Sequence, residues 1–385
     1  MKLLVFSPYY PPHIGGLESH SDEFNRHLSQ KGLDITVFTP RLPIKSLEKE
    51  VRYNNVEIIR FPAFEIIPNY PLPKFWKFKF WNLFFSLYSK KFDIIISRTR
   101  FFHTSLLAMI YAKTKNIKWV HIEHGSDFVQ LNNRFSSLCT KIYDLTLGRL
   151  ILAMSDKNIA NSIASADFCK KLARNKECIV VYRGVEIEEI EHLIPDVEFK
   201  NSLGNKIIIG FIGRLIDGKG VSDLLQALTQ INNTNIVCLI IGDGPQRNNL
   251  EKLSKKLSLQ NSVMFLGHRK FSETISILKV LDIFVNPSYT EGLPTTVIEA
   301  ALCRKAIIAT NVGGTSEIIT NNESGYLIKV RNATILSLKL KQLIENQPLR
   351  EKMGNSAFQE VKNKFNWNLS AQKYLELFTN IIAGE

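Results

Sequence analysis

Short apolar runs alternate with amphipathic segments along this sequence, and the alternation occurs as two separate series. The first series begins with the apolar run at residues 2–7 and the second with the run at residues 206–214. Continuous apolar runs are typical of parallel strands that are buried on both faces, and the segments between them have helical spacing. The sequence therefore predicts an α/β protein built from two similar doubly wound domains in tandem.

The domain boundaries follow from where the alternation stops. We predict a first domain over 1–185, an acidic and irregular linker over 186–205, and a second domain over 206–365. The tail, 366–385, is predicted to form an amphipathic helix. Residues 40–70 are polar and rich in proline, so they are interpreted as an excursion from the first sheet.

The positive charge lies almost entirely in the first domain. Of the net charge of +13, residues 1–185 carry 27 Lys and Arg against 15 Asp and Glu, and the remainder carries 22 against 21. A basic half suits nucleic acid, an anionic membrane surface or an anionic small molecule. Charge alone does not choose among these partners.

Targeting and redox signals point to a cytoplasmic protein. No stretch has eighteen uninterrupted apolar residues, and residues 1–6 are too short for a secretory signal. The cysteines are scattered, odd in number and never spaced as Cys-x-x-Cys, so neither a disulfide framework nor a zinc site is indicated. These cysteines are Cys139, Cys169, Cys178, Cys238 and Cys303.

The segment 283–300 predicts a strand, a tight loop and a helix that opens at Pro294. Loops at the carboxyl ends of parallel strands that face a helix N-terminus are where such sheets bind phosphorylated ligands. Glu291 on the loop and Glu299 on the helix are acceptor-only groups, suited to hydroxyl pairs of a sugar or a ribose. A capping carboxylate and a solvated carboxylate would give the same pattern.

Two other turns between a strand and a helix contain glycine. Arg214 and Lys219 bracket the turn that begins at Gly213, and two cations with free amides form a plausible diphosphate clamp. Gly15 and Gly16 occupy the first such turn of the chain, where they allow a close approach to a ligand or make a plain turn. They do not form the Gly-x-Gly-x-x-Gly motif, so NAD is not expected.

His124 follows the predicted strand 118–123 and lies beside Gly125 and Asp127, a position suited to site chemistry. His121, Glu123 and His124 could be imagined as metal ligands. That interpretation is disfavoured, because residues 121 and 123 share one face of a strand and 124 lies on the other.

The segment 74–92 has nine aromatic residues, five lysines and no acid. A helix of this composition suits the interface of an anionic membrane, with aromatic side chains among the headgroups and lysines outside. It also suits a crossover helix packed on the sheet. The two interpretations are compatible.

Taken together and in order, these motifs resemble those of family-4 glycosyltransferases (glycosyl transferases group 1), which have the GT-B fold. The resemblance covers essentially the whole chain. Its pieces are Gly15-Gly16 with Glu18, His124-Gly125-x-Asp127, Gly213-Arg214-x4-Lys219-Gly220, Gly242-x-Gly244-Pro245, Asn286-Pro287-Ser288 and Glu291-Gly292-x-Pro294-x4-Glu299-Ala300.

The resemblance implies two Rossmann-like domains facing each other across a cleft, with the last helix crossing back onto the first domain. It implies a retaining hexosyltransferase that uses a UDP- or GDP-sugar, held mainly by the second domain. The acceptor would be a glycan or lipid-linked, in the assembly of cell-surface polysaccharide, lipopolysaccharide or glycolipid. A sugar-nucleotide epimerase or phosphorylase of the same fold, or a non-catalytic partner subunit, remains the alternative.

The resemblance also implies roles for individual residues. Arg214 and Lys219 match the cations on the donor diphosphate, Glu299 the carboxylate on the ribose, and His124 a hydrogen-bonding group near the reacting sugar carbon. Glu291 matches the contact to the transferred sugar. The remaining donor-binding matches are Gly15, Gly16, Gly213, Gly242, Gly292, Leu293, Pro294 and Thr295.

No cofactor is expected. Asp-x-Asp does not occur in the sequence, which favours a metal-independent reaction in which Arg214 and Lys219 replace a cation. The expected partners are the donor, the acceptor and, through 74–92, an anionic membrane at the inner face of the cell membrane, with no nucleic acid. One departure from the family is Arg183-Gly184-Val185-Glu186, where Asn-Gly-Val-Asp is usual.

Overall fold

The computed structural model describes residues 1–13, 15–67, 70–128, 134–231 and 235–384. Ile14 of the predicted glycine turn and Glu385 of the predicted tail lie outside these ranges. The strands are β1 Lys2–Phe6, β2 Asp34–Pro40, β3 Lys49–Arg52, β4 Val56–Phe61, β5 Ala63–Ile67, β6 Tyr70–Pro73, β7 Ile94–Arg98, β8 Lys118–Glu123, β9 Lys157–Ala160, β10 Cys178–Val180, β11 Ile207–Ile212, β12 Ile236–Ile241, β13 Val263–Gly267, β14 Ile283–Asn286, β15 Ala306–Thr310 and β16 Tyr326–Ile328. The helices are α1 Gly16–Gln30, α2 Phe78–Ser86, α3 His103–Lys115, α4 Arg134–Tyr143, α5 Arg149–Met154, α6 Ile163–Leu172, α7 Ile187–His192, α8 Val197–Ser202, α9 Val221–Thr229, α10 Arg247–Lys256, α11 Phe271–Leu278, α12 Thr295–Leu302, α13 Ala333–Glu345, α14 Gln347–Val361 and α15 Trp367–Ala383.

The chain divides into two compact units. Unit 1 comprises Met1–Arg183 together with Trp367–Glu385, and unit 2 comprises Gly184–Asn366. The last helix, α15, belongs to unit 1, where it packs against α1 through the rings of Phe24 and Tyr374, whose centroids are 4.8 Å apart. Each unit has its own sheet and its own core, which confirms the predicted α/β architecture.

Within the described residues, the main sheet of unit 1 has the order β10-β9-β8-β7-β1-β2-β4-β3. Its pairs are parallel except for β3 with β4. One face packs against α1 and α15, and the other against α2 and α3, so the apolar runs of the central strands are buried on both sides. The chain leaves β1 towards β2 and leaves β7 towards β8, so the direction of winding reverses between β1 and β7.

The sheet of unit 2 has the order β13-β12-β11-β14-β15-β16 across the described residues, and all its pairs are parallel. Alternate strand residues such as Ile209, Val285 and Ile308 are buried in one cluster with apolar side chains of α9 and α13. Here the winding reverses between β11 and β14. Open α/β sheets bind ligands beside the carboxyl ends of strands at such a reversal.

The prediction that residues 40–70 lie outside the first sheet is wrong for β3 and β4, because these strands extend the main sheet of unit 1. Glu57 and Arg60 interrupt the apolar pattern of β4, and for that reason the sequence does not look like a buried strand. Arg60 is fully buried, yet its guanidinium lies 2.6 Å from Glu50 on β3 and donates to the Leu47 carbonyl. A charge that is paired across two strands can lie inside a sheet.

Residues 186–205, predicted as an irregular linker, contain the short helices α7 and α8 and lie in unit 2. Asp196 caps α8 by accepting a hydrogen bond from the Phe199 amide at 3.0 Å. The acidic residues that suggested a linker lie near the starts of these helices, where negative charge is favourable.

The aromatic segment 74–92 is helical over only part of its length, because α2 begins at Phe78 and is followed by a single 3₁₀ turn at Leu87–Ser89. Phe80 and Phe84 are buried against the sheet, whereas Trp76, Phe78 and Phe85 are 69%, 78% and 58% exposed. The segment therefore packs on the sheet and also presents an aromatic surface. Among the described helices, none is both long and apolar enough to cross a membrane.

Candidate active site

The carboxyl ends of β11 and β14 bring the two predicted donor motifs of unit 2 together. β11 leads into Gly213 and Arg214 and then into a 3₁₀ turn, Asp217–Lys219, while β14 leads into the loop that carries Glu291. The Tyr289 amide donates to the Gly218 carbonyl at 2.8 Å, so the two loops are hydrogen-bonded to each other. The winding reversal of unit 2 is therefore lined by residues from both motifs.

Lys219 and Glu291 form an ion pair across this reversal. The Lys219 Nζ lies 2.6 Å from Glu291 Oε1, with side-chain exposures of 26% and 12%. Arg214 is exposed on the same β11 loop. The loops thus hold two cations and a carboxylate next to a surface that a ligand can reach.

Two glycines in this region, Gly220 and Gly242, are needed because other backbone atoms lie close to them. A Cβ on Gly242 would stand 1.9 Å from the Gly213 carbonyl oxygen, and a Cβ on Gly220 would stand 2.1 Å from the Pro287 carbonyl oxygen. Gly242 and Gly220 also have φ values of +134° and +62°, which side chains rarely adopt. Gly220 and Gly242 allow the loops after β11, β12 and β14 to lie against one another.

The predicted sugar- and ribose-binding residues occur at the start of α12. Pro294 is the N-cap residue, with extended backbone, and Thr295 is the first helical residue. Gly292 accepts a hydrogen bond from the Gly314 amide at 2.8 Å, which fixes the loop before the helix, and Leu293 is buried. Glu299 is on the second turn and partly exposed. The first amides of a helix have no partner inside it, so this end of α12 favours anionic or oxygen-rich ligands.

In unit 1, Gly15 and Gly16 lie at the start of α1, next to the reversal between β1 and β7. Glu18 folds back from the helix and its carboxylate lies 2.5 Å from His13 Nδ1. A Cβ on Gly15 would stand 2.3 Å from Glu18 Oε2, so only glycine leaves room for this contact. Nothing lies within 4 Å of the Cβ position of Gly16, so there is open space on that side of the residue.

His124 follows β8, near the same reversal. The Asn161 side-chain amide lies 3.5 Å from His124 Nδ1 and so holds that edge of the ring. Burial lowers the pKa of His124 to about 3, and the positive charges of Arg98 and Arg183 contribute to the shift. The ring is therefore neutral near pH 7, and its Nε2 has no hydrogen-bond partner among the described residues, so Nε2 is available to a ligand.

A buried ion network holds the His124 loop. Glu123 Oε1 accepts the backbone amides of His124 and Gly125 at 2.9 and 2.8 Å and lies 3.0 Å from Arg100 NH1. Arg100 forms a two-bond contact with Asp144, at 3.0 and 2.9 Å, and also donates to the Asp127 carbonyl. Burial alone would raise the pKa of Glu123, but the charge of Arg100 holds it well below its usual range.

The structure thus groups the predicted residues into two sets, one at each winding reversal. The unit 2 set comprises Gly213, Arg214, Lys219, Gly242, Glu291, Gly292, Leu293, Pro294, Thr295 and Glu299, and the unit 1 set comprises Gly15, Gly16 and His124. Within the described ranges, no three His, Cys, Asp or Glu side chains are close enough together to hold a metal ion.

Sequence reasoning missed the polar residues inside unit 1. Arg98 ends β7 and Arg100 lies just beyond it, after a run of three isoleucines, and charged residues at the end of an apolar strand were the available signal. Glu123 was considered only as a metal ligand. Its carboxylate instead binds the backbone of the loop that follows it.

Two family models match the chain, and each covers nearly half of it. The model of Glycosyltransferase Family 4 matches residues 14–189, and the model of Glycosyl transferases group 1 matches residues 195–360. The first match ends at residue 189 and the second begins at residue 195, close to the division between units 1 and 2 at Arg183 and Gly184.

Similar proteins span the whole chain. An uncharacterized glycosyltransferase of Methanocaldococcus jannaschii is 39% identical, over 99% of each chain. The N,N'-diacetylbacillosaminyl-diphospho-undecaprenol alpha-1,3-N-acetylgalactosaminyltransferase of Campylobacter jejuni is 28% identical, over 69% of this chain and 73% of the relative. An Anabaena protein solved in complex with UDP superposes with a TM-score of 0.78 at 18% identity, over 99% of this chain and 100% of that protein.

Proposed function

The chain belongs to the group 1 glycosyltransferases and has their GT-B fold, and we propose that it is a retaining hexosyltransferase. The proposed donor is a UDP- or GDP-sugar, and the proposed acceptor is a glycan or a lipid-linked sugar. We place the reaction in the assembly of cell-surface polysaccharide, lipopolysaccharide or glycolipid. The similar protein of C. jejuni, whose name includes diphospho-undecaprenol, supports a lipid-linked acceptor.

The observation that carries this proposal is the grouping of Arg214, Lys219 and Glu291 at the winding reversal of unit 2. When a nucleotide diphosphate leaves, negative charge grows on its phosphate oxygens. Two cations that are already in position stabilise that charge without reorganising. The same cations supply positive charge that a metal ion supplies in other transferases, so we propose a reaction without metal.

The remaining contacts are proposed from position and chemistry. Glu299 accepts hydrogen bonds from the ribose hydroxyls, and Glu291 with the α12 amides holds the transferred sugar. His124 donates its Nε2 proton to a sugar hydroxyl and, being neutral, does not act as a proton carrier near pH 7. Retention follows from attack on the face that the nucleotide leaves, with the departing phosphate taking the acceptor proton.

Nucleotide binding is the first prediction to test. We expect one of UDP, GDP or ADP to raise the melting temperature selectively, because a ligand at 100 times its dissociation constant stabilises the folded protein by roughly 2.7 kcal/mol. The measurement is thermal unfolding followed by circular dichroism, with each nucleotide and with its sugar conjugates. Lys219→Ala should lose most of the gain, whereas Lys252→Ala, which removes an exposed lysine from α10, should keep it. If no nucleotide gives protection at millimolar concentration, the donor assignment fails.

We also propose that the aromatic surface of α2 contacts an anionic membrane at the cytoplasmic face. Trp76, Phe78 and Phe85 are exposed beside Lys77 and Lys79, the arrangement that interfacial helices use. Vesicles that contain phosphatidylglycerol should sediment the wild-type protein, whereas the Trp76→Ser, Phe78→Ser double variant should stay in solution. Its matched control, Phe271→Ser, removes a 40% exposed ring from unit 2. Equal sedimentation of the double variant and the wild type would contradict the proposal.

A further inference from the structure

Arg98 is a buried cation in unit 1 to which the mechanism above gives no role. It ends β7 at the winding reversal and has no exposed surface. Its NH1 donates to His20 Nδ1 at 2.8 Å and its guanidinium stacks on the Phe24 ring at 4.3 Å. Its Nε and NH2 groups have no hydrogen-bond partner among the described residues.

Among the described residues, no carboxylate compensates the charge of Arg98. The largest effect on the Arg98 pKa is burial, which lowers it to about 10, and the other groups that act on it are Tyr374, Tyr10 and Arg183. A buried charge without a counter-ion or a full set of hydrogen bonds destabilises the folded protein. An anionic ligand would supply the partner that Arg98 lacks.

Further donors around His20 also lack partners. The His20 ring centroid lies 4.7 Å from that of His124 and 5.4 Å from that of Trp367. Neither His124 Nε2 nor Trp367 Nε1 has a hydrogen-bond partner in the described part of the chain. Trp367 Nε1 can only donate, so within the described residues it adds an N–H group without an acceptor to the unpartnered N–H groups of Arg98.

Arg183, the departure from the usual family motif, adds a second cation. It donates to the Gly16 carbonyl at 3.3 Å and to Glu23 at 3.0 Å, and its Nε lacks a partner among the described residues. It is close enough to lower the pKa of both His20 and His124. The Asn-to-Arg departure therefore places positive charge beside the Gly15-Gly16 turn.

From this cluster of Arg98, Arg183 and Trp367, which lies beside His124, we infer a binding site for the phosphoryl group of a phosphorylated acceptor, an inference that rests on the transferase function proposed above. Several N–H donors with two cations suit a tetrahedral phosphate, whose three free oxygens accept charge-assisted hydrogen bonds, better than a two-oxygen carboxylate. The cluster lies at the winding reversal of unit 1, where such sheets bind ligands. His124 is partly exposed, so the cluster reaches the surface there. The donor diphosphate has its own cations, Arg214 and Lys219, in unit 2.

The test uses Arg98→Met, which keeps an apolar side chain of similar length over the Phe24 ring. In phosphate-free buffer we expect this variant to melt at least about 2 °C higher than the wild type, because it removes a buried charge that lacks a partner. Inorganic phosphate should raise the melting temperature of the wild type, and the dissociation constant for phosphate should be at least about tenfold weaker in the variant. Tryptophan fluorescence reports on unit 1, because all four tryptophans belong to it.

The phosphate titration is repeated with saturating UDP in every sample, so that the donor site is occupied. This shows whether phosphate binds at the proposed acceptor site or at the donor diphosphate site. We expect the phosphate effect to persist with UDP bound, and UDP to protect the wild type and Arg98→Met equally. Loss of the phosphate effect in the presence of UDP would assign the cluster to the donor diphosphate and overturn the inference. If UDP protects neither protein, the nucleotide of the panel above that does protect the wild type takes its place. If none protects, the donor assignment fails, and the phosphate titration without nucleotide still tests the cluster.

A second variant guards against a misfolded Arg98→Met. Arg183→Gln changes a partly exposed side chain and should also weaken phosphate binding several-fold, whereas Lys171→Met, which removes an exposed charge from α6, should not. Equal phosphate protection of the wild type, Arg98→Met and Arg183→Gln would overturn the inference. A lower melting temperature of Arg98→Met in phosphate-free buffer would do the same, since it would mean that the charge already has its partner.

Discussion

Replacing Lys219 with alanine is expected to lower kcat for sugar transfer by about 10²- to 10³-fold, the usual cost of removing one group that stabilises a developing negative charge. The reason is its position at the winding reversal of unit 2, 2.6 Å from Glu291. Without the lysine, the Glu291 carboxylate stands next to the proposed diphosphate with less opposing charge. The measurement is the initial rate of nucleotide release with a saturating sugar donor.

The same experiment needs controls for fold and for charge. Lys219→Arg keeps a cation but changes its shape, so it should recover part of the rate. Lys252→Ala removes an exposed lysine on α10 and should leave kcat unchanged. Circular dichroism should show the same folded spectrum for all three variants. A rate for Lys219→Ala within about twofold of the wild type would remove Lys219 from the proposed diphosphate site.

The strands and their order of appearance could be predicted from the sequence wherever a run was purely apolar. The runs at 94–96 and 283–285 have no charged member, and both became central strands. β4 could not be predicted in this way, because Arg60 breaks its pattern and its partner, Glu50, lies on another strand. Which strands pair with each other depends on tertiary contacts, and local composition does not reveal these contacts.

The candidate site was predictable as far as it depends on local turns. Gly213, Arg214, Lys219 and Glu291 follow strand ends, and parallel strands bring their carboxyl ends to one edge of a sheet. The network behind His124 was not predictable, since Arg100 and Asp144 are 44 positions apart and only the fold brings them together. The partners of such buried charges are distant in the sequence, so the residues next to each charge do not reveal the ion pair.

The second large effect concerns that network. Replacing Arg100 with methionine is expected to destabilise unit 1 by about 3–5 kcal/mol, because it leaves Glu123 and Asp144 buried without their cation. Both carboxylates have no exposed side-chain surface, so water cannot take the place of the guanidinium. The measurement is urea unfolding followed by tryptophan fluorescence, which reports on unit 1.

The loss should depend on pH in a defined direction. In the wild type, Arg100 holds the pKa of Glu123 well below its usual range, so the stabilisation from Glu123 is present above pH about 4.3 and is lost as the pH falls below that value. In Arg100→Met, burial acts on Glu123 without opposition and raises its pKa. Protonation of Glu123 then removes the unpaired buried charge, so the difference in stability between variant and wild type should shrink as the pH falls from 7 to 5.

The position of His124 provides a second readout of the same variant. Glu123 and Arg100 fix the loop through the amides of His124 and Gly125 and the carbonyl of Asp127, so kcat should fall even where unit 1 is still folded. Nucleotide protection, assigned to unit 2, should be retained. The double variant Arg100→Met, Asp144→Leu removes one of the two unpaired carboxylates and should recover part of the stability. The reason is that the loss of stability comes from unpaired buried charge and not from lost packing. A loss below about 1 kcal/mol in Arg100→Met would mean that the network contributes little to the stability of unit 1.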